Sequence, residues 1–231
     1  FFWAVSENKW INEKNWLVMI YNIYKPKDFS SFSIVKQVKR ITREKVGHSG
    51  TLDPFADGVL VLGVGKSTKK LSDIIQYDKT YKGIVRLGKK TDTKDLTGTV
   101  IEDKEVPNFE NINFEKIAES FLGVQMQETP MYSARKVNGV RLYKLARKNI
   151  SVKRNPKQIE IKYLKCILID SNTLEIQVEC SSGTYIRVLA EDIAKKIGTI
   201  GHLIKLTRTT VGTFSLDDSL TVEKFEEQWK L

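Results

Sequence analysis

The heptapeptide His48-Ser49-Gly50-Thr51-Leu52-Asp53-Pro54 sets one carboxylate among residues that restrict the backbone. Gly47 and Gly50 permit a tight loop, and Thr51 and Pro54 stiffen it, so Asp53 is presented from a rigid support. A carboxylate held in this way suits nucleophilic or acid–base chemistry. The same run also suits an Asx-turn in which Asp53 only bonds nearby N–H groups, and the heptapeptide alone leaves both readings open. A second candidate follows, since Gly65-Lys66-Ser67 ends like the phosphate-cradling loop Gly-x-x-x-x-Gly-Lys-Ser/Thr. Such a loop needs glycine at position 60 so that its N–H groups can turn toward the phosphates, and this chain has Leu60 there, inside an apolar run. Gly63 and Gly65 are therefore assigned to the end of a strand and its turn into a helix.

Metal chemistry finds little support. Cys166, Cys180, His48 and His202 are the only cysteines and histidines, and they show none of the short spacings of a zinc site. The two cysteines read as reduced thiols of a cytoplasmic protein. No apolar run approaches the roughly 20 residues of a membrane helix, and the N-terminal FFWAVSENKW has no basic start of the kind a signal peptide carries. Charge points to a polyanionic partner: 38 Lys and Arg stand against 28 Asp and Glu, a net charge of +10. The segment Thr129 to Ile159 contains no Asp or Glu. It carries Arg135, Lys136, Arg141, Lys144, Arg147, Lys148, Lys153, Arg154 and Lys157, interleaved with Tyr132 and Tyr143. Cations at this density repel one another, and a phosphate backbone is their natural complement; a solvated basic helix is the bland alternative. Val140, Leu142, Leu145 and Ala146 are expected to tie one face of the segment to the body.

Around these groups the pattern predicts mostly strands. Leu17 to Ile23 reads as a strand, and Ser33 as the cap of an amphipathic helix with Ile34, Val35, Val38 and Ile41 inward and Lys36, Lys39, Arg40 and Arg43 outward. Further strands are expected at Val59 to Val64, Thr80 to Leu87 and Thr97 to Ile101, with helices near Lys69 to Gln76 and Phe114 to Phe121. Ile159 to Ile169 and Leu174 to Cys180 form a hairpin around Asp170-Ser171-Asn172. A helix from Tyr185 to Ile197 stops at Gly198. Strands with helices scattered between them favour an α+β fold on a mixed or antiparallel sheet.

Six blocks in order carry a family resemblance. GHSGTLDPFADGVLVLGVGKSTK resembles the GHxGTLDPxAxGVL motif of the TruB family of tRNA pseudouridine synthases. Lys25-Pro26 with Ser30-Ser31 resembles its KPxGxSS element, and DKTYKGIVRLGKKTDTKDLTG its KxYxxxxxLGxxTDTxDxxG. TPMYSARKVNGVRLYKLAR, CSSGTYIRVLAEDI and HLIKLTRTTVGTF resemble the three later blocks. Tyr24 stands where the family usually has Asp, and Thr207 replaces the first arginine of its LRR element.

The resemblance implies a mixed, mostly antiparallel central sheet with flanking helices, over residues 17–231, and an inserted basic thumb at about 129–157. Residues 1–16 are an extension of unassigned role, and no C-terminal PUA domain is expected. It further implies that Asp53 is the essential nucleophile, that Arg187 pairs with it, and that Tyr81 stacks on the target uracil. Tyr185 and Leu206 line the uridine pocket, His48 fills the space vacated by the flipped base, and Lys25 is counted with the substrate-binding residues. Arg135, Lys136, Arg141, Lys144, Arg147 and Lys148 of the thumb meet the T stem-loop of tRNA. No metal or other cofactor is implied; the expected protein is a cytoplasmic monomer that isomerises uridine 55.

Overall fold

The structure is a computed structural model that describes residues 4–6, 9–11 and 17–230. Most of the expected extension 1–16 lies outside the described residues. The chain divides into two compact units, 1–80 with 207–231, and 81–206.

The first unit begins with a small antiparallel sheet of β1 (Ala4–Ser6), β2 (Lys9–Ile11) and β3 (Leu17–Val18). Then come β4 (Ile20–Lys25), α1 (Ser31–Thr42), β5 (Val46–His48), β6 (Asp57–Val64), a 3-10 turn at Gly65–Lys70 and α2 (Leu71–Gln76). β7 (Lys79–Leu87) carries the chain into the second unit. There follow β8 (Lys89–Thr91), β9 (Val100–Asp103), α3 (Phe114–Glu119), β10 (Gly123–Gln127), β11 (Lys136–Val137), β12 (Val140–Arg141) and α4 (Leu142–Ala146). A long hairpin of β13 (Lys157–Asp170) and β14 (Thr173–Cys180) precedes α5 (Ile186–Ile197). β15 (Gly201–Val211) returns to the first unit, which closes with β16 (Phe214–Ser215) and α6 (Val222–Lys230). Pairing is antiparallel at β4–β6, β5–β6, β10–β13, β13–β14 and β15–β16, and parallel where Thr207 and Arg208 of β15 face Asp57 and Gly58 of β6. The central sheet is thus mixed and mostly antiparallel, and the fold is α+β.

The apolar run of β6 is explained by burial on both faces. Leu60, Leu62 and Val64 pack with Ile34, Val35 and Val38 of α1 and with Phe225 of α6, while Val59 and Val61 pack with Ile20, Leu71, Ile74 and Val211. Each such side chain contributes roughly 1.5–3 kcal/mol on burial. The basic face of α1 is exposed at Lys36, Lys39, Arg40 and Arg43.

Its cap differs from the sequence expectation. Ser30 is extended and accepts the Ser33 N–H, so α1 starts before Ser33; Ser31, between them, is drawn inward by the Asp53 loop. The strand expected from Thr97 begins at Val100, because the N–H and hydroxyl of Thr97 are both spent on Asp95 Oδ1. The 170–172 hairpin and the end of α5 fall where expected, Gly198 adopting the left-handed conformation that closes a helix. In the basic segment Asn138 and Gly139, both at positive φ, turn β11 into β12. Leu142 and Ala146 anchor the segment as expected, Leu145 is half-buried, and Val140 is exposed because it flanks that turn.

Candidate active site

Asp53 sits half-buried on the loop between β5 and β6, and three groups of the first unit fix that loop. Ser31 Oγ accepts the Leu52 N–H at 2.8 Å and donates to the Leu52 carbonyl at 3.2 Å. The Asp28 N–H bonds the Pro54 carbonyl at 2.8 Å, and the Ala56 N–H closes a tight turn on the Asp53 carbonyl at 3.1 Å. Backbone groups of Leu52 and Pro54, on either side of Asp53, are therefore bonded to residues outside the loop.

The second fastener is Lys25, 0% exposed. Its ammonium donates to the carbonyls of Phe29 at 2.6 Å, Pro26 at 2.9 Å and Pro54 at 3.4 Å. Burial pushes its pKa down to about 8, opposed by the charges of Asp57, Asp53 and Asp28 and assisted by that of Arg208. The third is Arg208, 1% exposed. Its guanidinium gives Nε to the Val59 carbonyl at 2.7 Å and Nη2 to the Gly50 carbonyl at 3.1 Å, tying β15 to β6 and to the loop. Gly58 permits this approach: it has φ 112°, and a Cβ there would overlap the Arg208 backbone. His48 Nδ1 accepts the Gly50 N–H at 3.2 Å. Burial, with the Arg208 charge adding to it, holds the imidazole below its ordinary range and hence neutral.

The remaining residues expected at the site belong to the second unit. Tyr81 is buried on β7 and Leu206 on β15. Arg187 occupies the first turn of α5, almost fully buried. It bonds the Thr93 carbonyl at 2.6 Å, the Tyr132 carbonyl at 2.7 Å and, as an ion pair, Asp95 Oδ2 at 3.2 Å. Asp95 in turn accepts from Thr93 Oγ1 at 2.8 Å and from the Thr97 N–H at 2.9 Å. Gln127 grips the backbone of half-buried Tyr185 from both sides, accepting its N–H at 2.8 Å and donating to its carbonyl at 3.1 Å. Asp92 accepts the Tyr132 hydroxyl at 3.1 Å, so the root of the basic segment is fastened to the turn that holds Arg187. Burial and the Asp92 carboxylate push the Tyr132 phenol up.

Arg135, Lys136, Arg141, Lys144, Arg147 and Lys148 are all exposed. Arg135 Nη1 bonds Thr129 Oγ1 at 2.8 Å, and the Arg147 guanidinium stands 5.5 Å over the Tyr143 ring. A positive, aromatic-studded surface of this kind fits a phosphate backbone. The end of the glycine-rich run forms the 3-10 turn at Gly65–Lys70, led by Gly65 at φ 58°. Among the described residues no group of three or more His, Cys, Asp or Glu is placed to hold a metal ion, and no helix is long and apolar enough to cross a membrane.

Sequence reasoning passed over Asp95 and Arg208. Asp95 lies in the quoted block TDTKD and Arg208 follows Thr207 in LTRTT. Neither carries a local signal: a charged residue reads as a surface group, and each finds its partner far off in sequence, Asp95 at Arg187 and Arg208 at Gly50.

Residues 38–186 match the model of the TruB family pseudouridylate synthase (N terminal domain), and residues 187–231 that of the tRNA pseudouridylate synthase B C-terminal domain. The tRNA pseudouridine synthase B of Psychrobacter arcticus is 42% identical over 208 residues, which cover 87% of this chain and 55% of that protein. The protein of the same name from Clostridium acetobutylicum is 43% identical over 210 residues, covering 90% and 72%. The chain thus spans little more than half the length of the first of these relatives. A chain of the Cbf5-Nop10-Gar1 complex is similar in structure, with a TM-score of 0.69 and 25% identity over 90% of this chain and 53% of its own.

Proposed function

Because the chain belongs to the TruB family of pseudouridylate synthases, we propose that it isomerises uridine to pseudouridine in tRNA, at position 55 of the T loop. The observation that carries this is the Asp53 loop: a half-buried carboxylate on a backbone pinned through Leu52, Pro54 and Gly50. In the reaction the N1–C1′ bond of the nucleotide breaks, the base turns, and C5 bonds to C1′. The C5 proton is lost and N1 gains one, with no net oxidation. The base must leave its stack to be turned.

Asp53 is the nucleophile of this reading, acting at the glycosidic bond, and Arg187 is the cation of the site, its orientation set by Asp95 and two carbonyls. A guanidinium suits that task because it stays charged and holds a planar fork of donors. Tyr81 stacks on the uracil, Tyr185 and Leu206 bound the base, and neutral His48 occupies the RNA loop after the base has flipped. Lys25, whose ammonium is directed at loop carbonyls, serves the site by holding Asp53 in place. The exposed cations of the basic segment hold the T stem-loop by its phosphates. The decisive assay incubates a T-arm stem-loop RNA with the protein and maps pseudouridine, wild type beside Asp53→Asn. Product with wild type and none with a folded Asp53→Asn supports the reading. No product with wild type, or full turnover by the variant, refutes it.

A further inference from the structure

Glu191 lies one helical turn beyond Arg187 on α5 and is 2% exposed. A carboxylate so buried needs paired charge. Lys94 Nζ bonds its Oε2 directly, and Lys90 and Lys195 Nζ stand 3.4 and 3.6 Å from Oε1. The four-residue spacing puts Arg187 and Glu191 on one face of α5, and both reach the same turn. Arg187 takes the Thr93 carbonyl and the Asp95 carboxylate, while Glu191 takes the side chain of Lys94, the residue between them. Lys94 has φ 64°, a left-handed backbone that a lysine adopts only when its surroundings impose it. Its N–H bonds the Thr91 carbonyl and its own carbonyl accepts the Leu203 N–H, so both backbone groups are committed as well.

We propose that Lys94 and Glu191 are a positioning pair: a second clasp between α5 and the Thr91–Thr97 turn that fixes Asp95 opposite Arg187. This rests on Arg187 being the cation of the catalytic site. With Arg187 alone, α5 would reach the turn through one side chain; Glu191, a helical turn further on, adds a second contact at Lys94, beside the backbone bonds that Lys94 makes to Thr91 and Leu203. Buried ion pairs are often no more stabilising than apolar residues of equal size, and their use lies in specifying one geometry. The three lysines around one carboxylate also provide a clean perturbation. When Lys94 is removed, Lys90 and Lys195 still neutralise Glu191, so Lys94→Met takes away the clasp without stranding a buried charge.

The experiment compares wild type, Lys94→Met and Lys94→Arg. It measures the single-turnover rate on a T-arm stem-loop, the dissociation constant for the same RNA, and the side-chain Nε–H resonance of Arg187 in 15N-labelled protein. Lys94→Met is expected to slow the rate about 10- to 100-fold, the cost of an ångström-scale misplacement. Its dissociation constant should stay within threefold of wild type and its Arg187 resonance should shift. Lys94→Arg should recover most of the rate and the wild-type resonance. An unmoved Arg187 resonance in Lys94→Met, a loss seen in binding alone, or equal losses for Met and Arg would overturn the proposal. If wild type forms no pseudouridine the catalytic reading falls instead, and the resonance still decides whether Lys94 positions Arg187.

Discussion

Replacing Arg208 by Met tests whether a buried guanidinium holds the Asp53 loop. Met keeps much of the length and apolar volume of the stem, so the change in packing costs about 1 kcal/mol or less. The loss is concentrated in two hydrogen bonds, to Val59 O at 2.7 Å and Gly50 O at 3.1 Å. The buried Val59 carbonyl left without this donor costs roughly 1–3 kcal/mol and the part-buried Gly50 carbonyl less. Against this, the buried charge no longer has to be desolvated, which returns part of that sum. A net destabilisation of about 2–4 kcal/mol is expected, or roughly 5–15 °C in melting temperature for a chain of this size. Thermal and urea denaturation followed by circular dichroism measure it. A second readout is independent of stability. The positive charge of Arg208 helps to hold the His48 imidazole low, so the variant should raise the His48 pKa in an NMR titration. A loss below about 1 kcal/mol together with an unchanged His48 titration would show that the guanidinium does not hold the loop.

Three further outcomes are expected. Asp95→Asn keeps an acceptor for the Thr97 N–H but removes the charge beside almost fully buried Arg187; stability should drop by about 2–4 kcal/mol, and pseudouridine formation should fall more steeply than RNA affinity, as kinetics and filter binding would show. His48 has a folded pKa below its ordinary value, so between that value and about 6.5 the unfolded chain binds more protons than the folded one. The His48 contribution is therefore complete above pH ~6.5 and is lost as pH falls through the folded pKa; denaturation midpoints taken from about pH 7.5 down to 5 should fall less steeply for His48→Asn. Finally, if the exposed cations of the basic segment meet phosphates, Arg141→Ala with Lys144→Ala should flatten the log–log salt dependence of RNA binding by roughly 1.5 units, the share of two phosphate contacts. An unchanged slope would place the RNA elsewhere.

Local patterns in this chain are those that a segment settles for itself. The apolar run of β6, the hairpin at Ser171-Asn172 and the glycine stop of α5 follow from period and from turn chemistry within a few residues. The rigidity of the HSGTLDP loop was legible too, from its glycines and proline, and so were the positive charge and absence of acids in the 129–159 segment. The start of α1 was displaced because three serines compete for one cap. Leu52 takes the Ser31 hydroxyl and Ser33 Oγ turns back onto the Ser30 carbonyl, and the cap falls to Ser30.

What tertiary structure alone decided is which charges are buried and whom they face. Arg208 and Gly50 are 158 positions apart, Arg187 and Thr93 are 94, and Lys94 and Glu191 are 97. An isolated arginine or glutamate prefers water by a wide margin, so in sequence each reads as a surface residue. Its burial becomes favourable only when a remote segment brings the compensating carbonyls or opposite charge, and no local pattern encodes that meeting. The sequence by itself thus determined many of the elements and the rigid seat of Asp53. The fold decided which buried cations hold that seat and that the Asp95 carboxylate faces Arg187, because those energies exist only once distant residues are in contact.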